Sequence, residues 1–93
     1  MTTSTTPGGA RTITVRVLLF ASYADLAGTG ALELSLPAGS TVADLVRAVR
    51  TSVRDGSRIP ERPLVAVNQV HARADTPLEQ AAEVALLPPL AGG

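Results

Sequence analysis

The segment Ser40–Val53, STVADLVRAVRTSV, constrains the fold more than any other stretch. Val42, Leu45, Val46, Val49 and Val53 recur at helical spacing and form one apolar stripe with arginines opposite. Ser40 or Thr41 stands where a helix N-terminus is capped. Asp44 falls in the first turn, where the helix dipole favours a carboxylate, and Arg50 and Arg54 lie toward the other end. A lone stripe of this kind must be buried against a sheet, and the flanking sequence supplies one. Ile13, Val15, Val17 and Leu19 alternate with Thr14, Arg16, Leu18 and Phe20, which predicts a strand with one face fully buried and the other partly covered at its Leu18 and Phe20 end.

The other elements follow from the same periodicities. Ala21 to Ala27 is a short helical segment stopped by Gly28. Leu32, Leu34 and Leu36 alternate with Glu33 and Ser35, so a second strand pairs with the first through a widened connection. Asp55-Gly56-Ser57 ends the long helix, and Arg58 to Pro63 is a loop. Leu64–Val67 reads as a third strand, Asn68-Gln69 as a turn and Val70–Ala72 as a short fourth strand. Leu78 to Ala81 reads as a brief helical corner and Glu83–Leu87 as the last strand. A hairpin, a crossover helix and a return to the sheet is the α+β, ubiquitin-like β-grasp order: a mixed sheet of about five strands crossed by one long helix. The apolar run Val84 to Leu87 suits a central strand beside the first. Residues 1–10 read as a disordered leader, 11–87 as the β-grasp domain and 88–93 as an extended, flexible tail.

Composition removes most function classes. Phe20 and Tyr23 are the only aromatics, and eight basic residues balance eight acidic ones. Neither base stacking nor an electrostatic footprint for nucleic acid or a membrane is expected. No stretch is long and apolar enough to span a bilayer, and Met1 to Ala10 lacks a charged start and a hydrophobic run, so the expected compartment is the cytoplasm. Cysteine is absent, which excludes disulfides, thiolate metal sites and a cysteine nucleophile. His71 is the only histidine, and Asp25, Glu33, Asp44, Glu79 and Glu83 are scattered rather than paired as acid and base.

What remains is the end, LLPPLAGG. Two closing glycines arise by chance in roughly one chain in two hundred at average usage. Pro88-Pro89 favours an extended exit, and Pro88 to Gly93 can span on the order of 20 Å. Glycine has no side chain, so Gly92-Gly93 can enter a channel closed to other residues and present a carboxylate there. Gly93 is thus the expected reactive group, Gly92 the residue that lets it pass, and Pro88, Pro89, Leu90 and Ala91 the lead.

From Val15 to Gly93 the chain resembles the sulfur-carrier family of the molybdopterin synthase small subunit and the thiazole-synthesis carrier. The matching stretches are VRVLLFASYADLAGT, LPAGSTVADL, LVAVNQVHARADTPL and EVALLPPLAGG. Val67-Asn68-Gln69 and the paired prolines resemble the molybdopterin branch more closely. Many members of that branch carry Gly-Asp before the last strand, where this chain has Ala81-Ala82 ahead of Glu83.

The resemblance implies a carrier, not a stand-alone catalyst, with no bound cofactor. An E1-like enzyme using ATP would adenylate Gly93, a sulfur donor protein would convert it to a thiocarboxylate, and the large subunit of molybdopterin synthase would pass the sulfur to a cyclic pyranopterin within a heterotetramer. Phe20, Leu18 and Leu87 are the expected apolar patch for these partners. A carrier for thiazole (thiamine) or cysteine synthesis would share the fold and the Gly93 chemistry. A ubiquitin-like modifier would instead join Gly93 to substrate lysines, and the absence of lysine here would prevent self-chaining.

Overall fold

The computed structural model describes residues 11–89. Strand β1 (Thr12–Leu19) leads through helix α1 (Ser22–Ala27) into β2 (Ala31–Pro37). Helix α2 (Val42–Ser52) and a 3₁₀ turn (Gly56–Arg58) follow, then β3 (Leu64–Val67), β4 (Val70–Ala72) and β5 (Glu83–Leu87). The sheet order is β2-β1-β5-β3-β4. β5 runs parallel to β1, Val17 opposite Val84, and antiparallel to β3, Leu64 opposite Leu87; β1–β2 and β3–β4 are antiparallel hairpins. This mixed sheet, crossed on one face by α2, is the ubiquitin-like β-grasp, with the apolar last strand at its centre.

Alternation decides which face is closed. Val15, Val17 and Leu19 of β1, Val84 and Leu86 of β5 and Val65 of β3 turn toward α2, which returns Val42, Leu45, Val46 and Val49, all buried. Each fully buried aliphatic contributes about 1.5–3 kcal/mol against exposure. Ile59, from the segment expected to be a plain loop, and Tyr23 of α1 belong to the same core. Burial pushes the Tyr23 phenol above its ordinary pKa.

Of the two possible caps, Thr41 is the one used for α2. Its backbone N–H donates to Asp44 Oδ2 at 2.9 Å, and the Asp44 N–H donates to Thr41 Oγ1 at 3.4 Å, a capping box. The Thr41 N–H, the Arg47 guanidinium and the Thr41 hydroxyl together hold the Asp44 carboxyl below the usual carboxylate range. The helix ends where Gly56 packs on it. A methyl at Gly56 would run into the Arg50 carbonyl, so only glycine permits the approach.

One element differs from expectation. Leu78 to Ala81 is not a helical corner: Leu78 is buried, and the chain then turns, with the Ala82 N–H donating to the Glu79 carbonyl at 3.1 Å. Ala81 has φ +67°, a left-handed value that interrupts any helix and that glycine adopts most easily. The Ala81-Ala82 departure therefore sits at a backbone position suited to the glycine of the Gly-Asp pair.

Candidate functional site

The face of the sheet away from α2 is graded along its strands. At one level Arg16 lies opposite Glu33 on one side and Glu83 on the other, a charged row across three strands. One step along, Leu18 neighbours Ala31 and Ala85, and Ala85 neighbours Ala66, a row of mainly small apolar groups. At the end from which the chain leaves β5, Leu87 faces Leu64. Phe20 follows β1 on the same side.

These last residues form a groove. Phe20, Ala21 and Ser22 line one side, Leu64 the other, and Leu87, Pro88 and Pro89 run between them, enclosing about 550 Å³. Phe20 is 45% exposed and Leu64 53%, large apolar side chains left to solvent on a small domain. Leu18, Leu87 and Pro88 are half-buried and Pro89 is exposed. The structure thus brings Phe20, Leu87, Pro88 and Pro89 together, with Leu18 on the adjoining strip of the same face. Leu90, Ala91, Gly92 and Gly93, like the leader Met1 to Ala10, lie outside the described residues.

Three residues at this groove, Ala21, Ser22 and Leu64, were not expected from sequence. Leu64 reads as an ordinary strand residue until β3 is paired with β5, and only then does its parity place it beside Leu87. Ala21 reads as the start of a helix, yet it has φ +51° and ψ −126°, and α1 begins one residue later without a side-chain cap. A non-glycine residue held at such a φ costs about 1–3 kcal/mol, and this strain sits in the groove wall.

Among the described residues, no group of three or more His, Cys, Asp or Glu side chains could hold a metal ion. No helix among them is long and apolar enough to cross a membrane. His71 lies exposed on β4, opposite Ala66, and is not part of the groove.

Solved structures with this architecture come from several organisms. Small archaeal modifier protein 1 of Haloferax volcanii superposes with a TM-score of 0.77 at 25% identity, over 86% of this chain and 99% of that one. A putative molybdopterin converting factor subunit 1 of Pyrococcus furiosus gives a TM-score of 0.72 at 26% identity, over 84% and 99%. In fold alone the chain also matches a protein from a Helicobacter pylori complex of molybdopterin-converting factor subunits 1 and 2, with a TM-score of 0.62 at 19% identity, over 87% and 100%. The ThiS family model matches residues 17–93, from the middle of β1 through the diglycine, and the chain therefore belongs to the ThiS family.

Proposed function

We propose that the chain is a sulfur carrier whose Gly93 carboxyl is the covalent site, serving molybdopterin formation. The observation that supports this most is the apolar groove at the exit of β5: the central strand delivers Pro88-Pro89 between Phe20 and Leu64, and the family match continues from there through Gly93. Seating such a tail in a partner costs about 1–2 kcal/mol for each ordered residue, so affinity must come from the body. Phe20, Leu64, Leu87 and Leu18 are the side chains that can contribute it.

In this reading an E1-like enzyme activates the tail. A Gly93 carboxylate oxygen attacks the α-phosphorus of ATP and pyrophosphate leaves, giving an acyl-adenylate. A persulfide on a donor protein then attacks the carbonyl carbon and AMP departs, giving an acyl disulfide; a second thiol attacks the donor's own sulfur, forming a disulfide with it and releasing the thiocarboxylate. The large synthase subunit then takes the tail; the Helicobacter pylori complex of molybdopterin-converting factor subunits 1 and 2 supports a large-subunit partner. The thiocarboxylate sulfur bonds to a pyranopterin carbon as an oxygen leaving group departs, and water then cleaves the acyl–sulfur bond, leaving sulfur on the pterin and restoring the carboxylate. No step uses a side chain of the carrier as acid or base, in keeping with a groove lined by apolar residues and Ser22. The cytoplasm is the proposed compartment.

A second reading, protein modification, draws on the Haloferax volcanii modifier at 25% identity. Both readings require a free Gly93 terminus and differ in the acceptor. The deciding experiment reconstitutes the chain with ATP, an activating enzyme, a sulfur donor and the large subunit, with and without one alanine added after Gly93. Pterin sulfuration by the native terminus and its loss on extension is the expected result. Sulfuration that survives extension would remove Gly93 from the role, and Gly93 amides on partner lysines without sulfuration would establish the modifier reading instead.

A further inference from the structure

A second concave surface lies on the other side of the sheet. Two adjoining cavities of about 430 and 190 Å³ share Ala43, Val46, Glu61, Arg62 and Ala74, and form one cleft between α2 and the β3–β4 edge. The floor is small and apolar, with Ala43, Val46, Ala72 and Ala74 leaving room where larger side chains would fill it. The rim is basic: Arg47, Arg50 and Arg62 face a single lining carboxylate, Glu61.

The three guanidiniums are not equally committed. Arg50 Nε donates to the Ile59 carbonyl at 2.6 Å, an Nη donates to Ser57 at 3.2 Å, and the group faces Glu61 at 3.6 Å. Its role is to fix the loop that forms one wall. Arg47 gives one Nη to Asp44 at 3.0 Å and keeps the rest of its fork in solvent. Arg62 is exposed and makes no ion pair among the described residues. A chain of zero net charge thus concentrates unspent positive charge around one apolar cleft. The adjoining β4 is an edge strand, so its outer backbone groups can pair with an added extended segment.

We propose that this cleft docks an acidic, aliphatic segment of a partner protein, with an apolar side chain seated on Ala43, Val46 and Ala74 and flanking carboxylates held by Arg47 and Arg62. Guanidiniums favour carboxylates because their planar fork matches both oxygens, and the small floor residues favour a branched aliphatic group. The cleft and the tail groove lie on opposite faces of the sheet. One partner can therefore hold the body while another takes the tail.

The test titrates the full ¹⁵N-labelled chain with a capped peptide of sequence Asp-Glu-Ile-Val-Glu-Asp, with the counterpart bearing lysine at every acidic position, and with inorganic phosphate. Expected are amide shifts at Ala43, Val46, Ala72 and Ala74 with the acidic peptide. They should fade at roughly 1 M salt, where the Debye length is about 3 Å. Arg47→Glu with Arg62→Glu should weaken binding about tenfold or more, as loss of charge-assisted contacts requires. Arg62→Gln should weaken it less, with the amide spectrum of the free protein otherwise unchanged. Shifts centred on Leu18, Phe20 and Ala85, equal binding of the lysine peptide, or no shift at millimolar peptide would overturn the proposal. Equal shifts with phosphate would reduce the cleft to a simple anion site, and shifts that follow protein concentration alone would make it a contact between copies; either outcome also overturns it.

Discussion

The two faces of the sheet are built from the same strands and do different work. On the face toward α2 the central positions are aliphatic and sealed, from Val15 to Val84 and Leu86, while toward the sheet edges Leu34 and Val70 meet solvent. On the other face the apolar residues gather at one end, Phe20, Leu64 and Leu87, while a Glu33–Arg16–Glu83 row crosses farther down. A fold needs the first arrangement. It does not need Phe20 and Leu64 half in water, and their position at the exit of β5 is what makes that end of the sheet the docking candidate. Apolar residues carry stability where they are covered and point to a partner where they gather uncovered.

Substitution can break this contrast. Leu86→Ala, on the sealed face, should cost about 2–5 kcal/mol in urea unfolding, the range for emptying a packed leucine site. Phe20→Ser and Leu64→Ser should stay within about 0.5 kcal/mol of the parent, as exposed substitutions usually do. The same pair should lower affinity for the large subunit by roughly tenfold or more, as truncated interface anchors do. A Phe20 variant that unfolds while still binding would reverse the roles assigned to the two faces.

Gly56→Ala tests how the sealed face is closed. The added methyl meets the Arg50 carbonyl, and the expected loss is about 1–3 kcal/mol, with Ile59 drawn out of the core. Ala81→Gly should act the other way. Relief of the left-handed strain at φ +67°, set against the greater freedom of glycine in the unfolded chain, should raise stability by up to about 1 kcal/mol.

The smallest effect is the pH dependence of the α2 cap. Asp44 is held below the usual carboxylate range, so its contribution is complete above the ordinary carboxylate pKa and disappears as pH falls through the folded value. Asp44→Asn should therefore be less stable than the parent at neutral pH, and thermal melts of the two should converge in acid. A gap that stays constant across that range would assign the cap to shape instead of charge.

Much of the fold is legible in the sequence because burial writes periodicity into it. The period-two runs around Val15 and Val84 and the helical stripe of α2 each need only local reading. The turn at Ala81 escaped because its residues, Glu-Gln-Ala-Ala, carry helix propensity and none of the usual marks of a left-handed position. Ile59 escaped because an isolated residue has no period. At the candidate site Phe20, Leu18 and Leu87 are legible by strand parity, whereas Leu64 needs the β3–β5 register and Ala21 a backbone angle. The arginine cleft was illegible for a similar reason: Arg47, Arg62 and Ala74 meet only once α2 lies across the sheet.

In the proposed carrier cycle, Gly93 bears the sulfur. The most direct test of this assignment is the intact mass and terminal fragment masses of the protein isolated from its own cells with sulfur donor available. The expected result is a fraction in which sulfur replaces one oxygen, localised to Gly93 and lost when the activating enzyme is removed. A carboxylate at Gly93 under every condition, with the activating enzyme and donor present and active, would contradict it.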